Sequence, residues 1–176
     1  MRVIAGSLKG RTINTPKGHR THPMAERVRG GLFNALGDIS GLTILDAFAG
    51  SGALAIEAVS RGAKNVVAID IDKKANDILR RNIDNLKVPN IKAINANAGG
   101  WSDKNLDTLF DIVFAAPPYD DIKLNLLDKL VQHVRPDGLY VLDWPGDKEI
   151  PKFEKLEKVS YKSYGDAALV FYRKTG

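Results

Sequence analysis

The 176-residue sequence contains no cysteine, and this absence excludes several kinds of chemistry. Disulfide bonds, thiolate metal ligands and a cysteine nucleophile are all ruled out. Methylation at C5 of a pyrimidine usually needs a cysteine adduct, so that reaction is disfavoured. Histidine is also scarce, and the pair His19 and His22 has no third ligand type nearby in the sequence. We therefore predict no metal site.

Long apolar stretches are absent as well. The longest covers residues 167–172 and has six residues, whereas a membrane-spanning helix needs about 20. The N-terminus lacks the apolar segment of a signal peptide. With 44% hydrophobic residues, the chain can fill one core and is short for two. We expect a soluble, cytoplasmic monomer with a single domain over residues 1–176.

The net charge of +5 is unevenly distributed along the chain. Residues 1–31 carry seven basic residues and one acid, for a charge of +6, while the remainder carries 19 basic and 20 acidic residues, for −1. Such a segment suits contact with a phosphate backbone, and a solvated surface without a partner is the alternative. We define residues 1–23 as the N-terminal arm and residues 24–176 as the core. The candidate residues for contact with a nucleic-acid backbone are Arg2, Lys9, Arg11, Arg20, Arg27 and Arg29.

Within the core, apolar runs alternate with amphipathic stretches. Buried strands are predicted over residues 42–46, 65–70, 91–95, 111–114 and 139–143, and helices over 26–36, 53–61, 73–86 and 124–134. Residues 156–164 and 167–172 predict a closing hairpin, and residues 2–5 and 11–14 a smaller hairpin in the arm. The predicted fold class is therefore α/β, with a Rossmann-like, mostly parallel sheet of seven strands and a C-terminal hairpin.

The stretch Leu45–Gly52 (LDAFAGSG) is the strongest chemical motif in the sequence. A predicted strand ends in Asp46, and a turn containing Gly50 and Gly52 leads into a helix. Glycine has no Cβ, so a nucleotide-like cofactor can approach this backbone closely. Residues 50–55 also fit the dinucleotide fingerprint, which leaves a nicotinamide-dependent oxidoreductase as an alternative.

Other predicted strands lead to Asp70, to Asn97 and to Ala116-Pro117-Pro118-Tyr119. In open α/β sheets such strand ends border one crevice. Asp70 can accept hydrogen bonds from both ribose hydroxyls, Asp46 can attract a positively charged group, and Asn97 can bond an adenine amine. Capping or turn formation at a strand end is the alternative for Asp46 and Asp70, and a place in a loop turn is the alternative for Asn97.

Several segments are similar in order and spacing to the bacterial RsmD-type family. They are Pro23–Arg29 (PMAERVR), Leu32–Asn34 (LFN), Asp46–Gly52 (DAFAGSG), Val113–Tyr119 (VFAAPPY) and Tyr164-Gly165. Members of that family are class I methyltransferases that use S-adenosylmethionine to methylate the N2 amine of one guanine in 16S ribosomal RNA. The similarity covers nearly the whole chain, including the arm.

The resemblance implies S-adenosylmethionine as the cofactor, and 16S ribosomal RNA or a small-subunit assembly intermediate as the partner. The implied cofactor-binding residues are Asp46, Gly50, Gly52, Asp70 and Asn97. In the family, an Asp or Asn and the carbonyl of the following proline, here Pro117, accept the two amine hydrogens. The aromatic residue, here Tyr119, stacks on a base turned out of its helix.

This sequence departs from the family at Ala116, which has no acceptor. Loss of one acceptor to a group that develops charge costs about 3 to 4 kcal/mol. Either another acceptor, for which Asp120 and Asp121 are candidates, replaces it, or the chain binds cofactor and RNA with weakened or no activity.

Overall fold

The computed structural model describes residues 1–16 and 24–176, and a seven-stranded sheet lies at its centre. The strands are β1 (Thr43–Asp46), β2 (Asn65–Asp70), β3 (Ile91–Asn95), β4 (Phe110–Ala115), β5 (Val134–Pro145), β6 (Leu156–Tyr164) and β7 (Ala167–Lys174). Their order is β3-β2-β1-β4-β5-β7-β6; β1 to β5 are parallel, and β7 is antiparallel to both its neighbours. The predicted α/β fold with a closing hairpin is confirmed.

In residues 1–16 and 24–176, five α-helices accompany the strands. They are α1 (Glu26–Leu36), α2 (Ala53–Ser60), α3 (Lys73–Leu86), α4 (Ala98–Lys104) and α5 (Leu124–Leu130). The sequence pattern does not predict α4, because Gly99 and Gly100 weaken helix propensity in its first turn. The helix begins there because the side chain of Asn97 accepts hydrogen bonds from both glycine amides, at 2.8 and 3.3 Å.

Helix α5 is shorter, and β5 longer, than the pattern predicts. The α-helix ends at Leu130, a short 3-10 turn follows, and β5 already starts at Val134. The early start depends on an irregularity in the strand, because the register with β4 shifts between Phe110 and Ile112 and Asp137 adopts a φ of +66°. Such a bulge interrupts the hydrophobic pattern from which strands are predicted.

Helices cover both faces of the sheet and produce two hydrophobic cores. On β1, Ile44 packs in the core formed with α1, α2 and α3, and Leu45 packs in the core formed with α4 and α5. Burial on both faces explains why the parallel strands are continuous apolar runs. None of the helices in the described part of the chain combines the length and apolar character needed to cross a bilayer.

The described part of the arm, residues 1–16, is a tight loop that packs on α2 and α3. One antiparallel bridge joins Arg2 and Thr12, so the predicted small hairpin has a single bridge instead of two full strands. The backbone amides of Ile4 and Ala5 donate to the carboxylate of Glu57, at 2.9 and 3.1 Å.

A buried ionic cluster holds the start of the arm against the core. The side chains of Arg29 on α1 and Glu57 on α2 are fully buried, with 3.5 Å between Nε and Oε1. Arg61 donates to the other Glu57 oxygen at 2.8 Å. The Arg29 guanidinium also donates to the carbonyl of Arg2 and to the sulfur of Met1. Residues 1 and 2 are thereby fastened to α1.

Asn82 on α3 links the arm to the glycine-rich loop. Its side chain accepts a hydrogen bond from the Asn14 amide at 3.0 Å. It also donates to the carbonyls of Asn14 and Ser51, each at 2.9 Å. The arm and the loop therefore share one buried side chain.

Gly31, in the middle of α1, is explained by the close approach of Tyr164 at the end of β6. A Cβ on residue 31 would overlap the Tyr164 hydroxyl group. Glycine inside a helix costs about 1 kcal/mol relative to alanine. The chain gives up this helix stability so that the β6–β7 turn can lie against α1.

Candidate active site

Four strand ends meet at one edge of the sheet, where β1 ends at Asp46, β2 at Asp70, β4 at Ala115 and β5 at Pro145. The strand order reverses between β1 and β4, because the chain runs from β1 outward to β3 and then crosses back to β4. Ligands of open α/β sheets bind in the crevice at such a reversal. The structure therefore brings the residues of the glycine-rich motif and of the Pro-Pro-Tyr motif to the same edge.

Asp46 is the most unusual residue at this edge. It is 1% exposed, and neither carboxylate oxygen has a hydrogen-bond partner within the described residues. Burial raises the pKa of Asp46 to about 7, the nearby Asp70 carboxylate adds to the rise, and the backbone amide of Phe48 opposes it. An ionised carboxylate is costly to bury without a partner, so this site suits a ligand that brings positive charge or hydrogen-bond donors.

The loop after β1 has the backbone conformation that its glycines permit. Gly50 and Gly52 have φ angles of +56° and +95°, and a Cβ on Gly52 would overlap the side chain of Leu79 on α3. Nothing lies within 4 Å of the position that a Cβ on Gly50 would occupy. The backbone at Gly50 is therefore open to a ligand.

Asp70 is held in place by the loop that it faces. Its Oδ2 accepts a hydrogen bond from the Gly50 amide and its Oδ1 from the Asp72 amide, both at 2.8 Å. Burial raises the pKa of Asp70, and these two amides oppose the rise. Each oxygen retains a second lone pair, so the carboxylate can still accept bonds from ligand hydroxyl groups.

Ile71 is a residue that the sequence reasoning missed. It follows Asp70 and is 70% exposed, the highest exposure among the large apolar side chains that stand out from the surface. An exposed apolar side chain beside the Asp70 carboxylate offers a packing surface for a flat ring. The sequence did offer one indication of this role, because Ile71 lies one residue beyond the end of β2, next to Asp70.

Asn97 lies at the same edge, but the structure gives its side-chain oxygen another role. That oxygen caps α4, as described above, and only the side-chain nitrogen is left to meet a ligand. Because an adenine amine is a donor, it cannot bond to that nitrogen. A cap on α4, which the sequence analysis did not predict, thus occupies the Asn97 oxygen, and a cofactor contact through its side-chain nitrogen stays a prediction.

Pro117 and Tyr119 follow β4 and turn towards β5. Pro117 is buried, whereas Tyr119 is 39% exposed. The Tyr119 hydroxyl donates to Asp143 Oδ1 at 2.5 Å and to the Trp144 carbonyl at 3.2 Å. The ring of Tyr119 is thus anchored at its hydroxyl end. Asp143 is a second residue that sequence reasoning missed, because its position at the end of β5 resembles an ordinary strand end.

An open cavity of about 460 Å³ lies beside this ring. Tyr119, residues 145–148 and the turn Gly165–Asp166 line it. Arg27 lies near the same turn, since its guanidinium is 5.4 Å from the centroid of the Tyr164 ring. The Tyr119 ring thus borders an open cavity that has one basic residue, Lys148, in its lining.

The candidate RNA-binding residues divide into three groups. Arg2, Lys9, Arg11 and Arg27 are exposed. Arg20 lies outside the described residues. Arg29 is 0% exposed and pairs with Glu57. The structure therefore corrects the prediction that Arg29 contacts a phosphate. Its guanidinium instead holds the start of the arm against α1. Within the described ranges, no cluster of three or more His, Asp or Glu side chains could hold a metal ion.

Comparisons with known proteins extend these observations. The model of the family described as "Conserved hypothetical protein 95" matches residues 1–173. YlbH of Bacillus subtilis, provisionally named an rRNA methyltransferase, is 33% identical over 184 residues and both chains are fully covered. Ribosomal RNA small subunit methyltransferase D of Escherichia coli is 34% identical over 139 residues, 78% of this chain and 68% of the relative. The solved structure of yhhF from Escherichia coli, provisionally named a methyltransferase, superposes with a TM-score of 0.89 at 29% identity, covering 99% and 98% of the two chains.

Proposed function

Because the chain belongs to the RsmD-type family, we propose that it transfers a methyl group from S-adenosylmethionine to the N2 amine of a guanine in 16S ribosomal RNA. The names of the relatives support the role of an RNA methyltransferase. Beyond that role, we propose that S-adenosylmethionine is the methyl donor and that the N2 amine of guanine is the acceptor. The observation that carries it is Asp46, a buried carboxylate that lies beside a glycine-rich loop and has no hydrogen-bond partner in the described part of the chain.

S-adenosylmethionine supplies an electrophilic methyl group on a positively charged sulfur. We assign the positive groups of its amino-acid end to Asp46, because neither oxygen of that carboxylate has a hydrogen-bond partner in residues 1–16 and 24–176. Gly50 and Gly52 let the ligand approach the backbone, and Asp70 accepts hydrogen bonds from the ribose hydroxyls. Ile71 packs against the adenine ring. A nicotinamide cofactor has no sulfonium to meet Asp46, and it leaves the Pro-Pro-Tyr segment without a purpose.

The target amine is a poor nucleophile, because its lone pair is delocalised into the guanine ring. Acceptors that draw its two hydrogens out of the ring plane localise that lone pair on nitrogen. We assign the carbonyl of Pro117 to one hydrogen and the exposed face of Tyr119 to stacking on the base. Ala116 supplies no second acceptor.

We assign the exposed residues Arg2, Lys9, Arg11 and Arg27 to phosphate groups of the RNA. The arm and the core would act as one binding unit, since the arm is hydrogen-bonded to α2 and α3. The proposed substrate is 16S ribosomal RNA, either free or in an assembly intermediate of the small subunit.

The proposal is tested with methyl-labelled S-adenosylmethionine and unmethylated small-subunit RNA or assembly particles. We expect label on N2 of a single guanine, identified by nucleoside mass spectrometry. The Ala116→Asp variant is run alongside. Label only with this variant would favour the second candidate, a chain that binds cofactor and RNA but has lost transfer. Tight binding of a nicotinamide nucleotide and none of S-adenosylmethionine would contradict both.

The basic surface gives a separate prediction. The triple variant Lys9→Gln, Arg11→Gln, Arg27→Gln should bind RNA more weakly, and the slope of log K against log salt should fall by about two, at about 0.7 to 0.9 for each lost phosphate contact. Binding is measured across a series of KCl concentrations. The control removes three exposed lysines of the C-terminal region, Lys152, Lys158 and Lys162. An equal loss of slope in the control would mean that the arm has no special part in RNA binding.

A further inference from the structure

We propose that the carboxylate of Asp143, at the end of β5, replaces the acceptor missing at Ala116 and accepts one hydrogen of the target amine. This assignment rests on the proposed methyltransferase function and adds a catalytic residue to it.

Asp143 lies one residue beyond the last pair of β4 and β5, and Ala116 is the first residue after β4. Ala115 of β4 pairs with Leu142 of β5 in parallel register, so the same register, continued by one residue, sets Ala116 opposite Asp143. Neighbouring strands are about 4.8 Å apart, and paired residues point to the same face. A carboxylate on residue 143 therefore reaches the space that a side chain on residue 116 would fill.

The carboxylate of Asp143 is already oriented. Its Oδ1 accepts the hydrogen bond from Tyr119, and its Oδ2 has no partner in residues 1–16 and 24–176. The side chain is partly buried, and burial raises its pKa. Because Tyr119 is the proposed stacking platform, an oxygen bonded to its hydroxyl lies at the edge of the bound base. One oxygen of Asp143 thus holds the ring while the other remains available.

The alternative acceptors have a different environment. Asp120 and Asp121 are exposed, and the carboxylate of Asp121 lies 3.7 Å from the ammonium group of Lys123. Neither side chain is hydrogen-bonded to the Pro-Pro-Tyr segment, although the Asp121 amide donates to the Pro118 carbonyl. Asp143 differs from both in two ways. The register of β4 and β5 brings it near residue 116, and its carboxylate accepts a hydrogen bond from the Tyr119 hydroxyl.

In the transfer step, the lone pair of the amine nitrogen forms a bond to the methyl carbon. The carbon–sulfur bond breaks, and its electron pair goes to sulfur, which becomes a neutral thioether. The positive charge passes to nitrogen, where the hydrogen bond to Asp143 stabilises it. The nitrogen then loses one proton to the Asp143 carboxylate, and the proton passes on to water.

The first test compares single-turnover transfer by four proteins at saturating S-adenosylmethionine. Asp143→Ala should be slower than the wild type by about 100-fold, the effect of removing one donor or acceptor from a charge-developing group. Tyr119→Phe removes the same hydrogen bond but keeps the carboxylate, so we expect a loss of only about fivefold. Adding Ala116→Asp to Asp143→Ala should recover most of the lost rate. If Asp143 only positioned Tyr119, the two single variants would be equally slow and Ala116→Asp would not rescue.

The second test measures binding instead of activity. RNA is prepared with guanosine or inosine at the target position, since inosine differs from guanosine only in lacking the 2-amino group. In the presence of the product S-adenosylhomocysteine, the wild type should prefer guanosine by about fivefold to tenfold. Asp143→Ala should keep only the smaller part of this preference that the Pro117 carbonyl supplies. Thermal unfolding midpoints of the variants verify that each is folded.

The outcomes separate the two proposals. Absence of transfer by the wild type to every small-subunit RNA and particle would overturn the methyltransferase proposal and this assignment together. Transfer by the wild type that survives in Asp143→Ala, or an unchanged preference for guanosine in that variant, would overturn only the assignment of Asp143.

Discussion

The Asp46→Asn variant is expected to lose most of its affinity for S-adenosylmethionine and, without the cofactor, to be more stable than the wild type above pH 7. The first effect follows from removing the charge that faces the sulfonium end of the ligand. A hydrogen bond to a charged group is worth about 1.5 to 3 kcal/mol, so affinity should fall by about 10-fold to 150-fold. The second effect follows from the burial of the carboxylate without a partner.

The direction of the pH dependence follows from the raised pKa of Asp46, which is about 7 in the folded protein and 3.8 in an exposed aspartate. Below pH 3.8 the carboxyl group is protonated in both the folded and the unfolded chain and has no effect. As the pH rises to about 7, only the unfolded chain ionises freely, so the wild type loses up to about 4 kcal/mol of stability. The asparagine variant lacks this loss.

Urea unfolding of the cofactor-free proteins at pH 5 and pH 8 checks the stability effect, and calorimetric titration with S-adenosylmethionine checks the affinity. Asp84→Asn, on the exposed side of α3, is the matched control and should change neither quantity. A wild type and an Asp46→Asn variant with the same pH dependence would show that Asp46 is not buried without a partner in solution.

Replacing Glu57 with alanine should lower the free energy of unfolding by about 3 to 5 kcal/mol. Glu57 is fully buried and pairs with the buried Arg29, so its removal leaves a positive charge inside the protein without its counterion. The amides of Ile4 and Ala5 lose their acceptor at the same time. The effect is measured by urea unfolding.

The exposed pair Lys73–Asp77, with 2.9 Å between Nζ and Oδ2, provides the comparison for Glu57. Asp77→Ala should cost less than about 1 kcal/mol, because exposed ion pairs contribute little. Hydrogen exchange of the Ile4 and Ala5 amides reports separately on the arm, and it should be faster in Glu57→Ala. A loss below 1 kcal/mol with unchanged exchange would mean that the cluster does not hold the arm.

Local patterns predicted the elements whose signals are local. Helix α3 and strand β2 begin and end at the predicted residues, and the predicted cap Asp72 accepts a hydrogen bond from the Lys74 amide at 2.9 Å. Helix α4 was missed because its start depends on one asparagine side chain that outweighs two glycines.

Local patterns predicted only some of the residues of the candidate site. They indicated Asp46 and Asp70, since an acid at the end of an apolar strand is visible in the sequence. They could not tell that Arg29 is buried while its neighbour Arg27 is exposed, because that depends on Glu57, 28 residues farther along. Asp143 carries the same local signal at the end of the predicted strand 139–143, but its role depends on Tyr119, which lies 24 residues earlier in the loop after β4.

The hydrogen bonds of the arm also determine an order of events during synthesis. Ile4, Leu8 and Asn14 bond to side chains that lie 53, 52 and 68 positions later in the chain. When the arm leaves the ribosome, α2 and α3 have not yet been made, and Arg29 has no counterion in Glu57. The basic arm is therefore made before its partners, and it can dock only after both helices have followed. We expect closure of the arm onto the core to come late in the folding of a nascent chain.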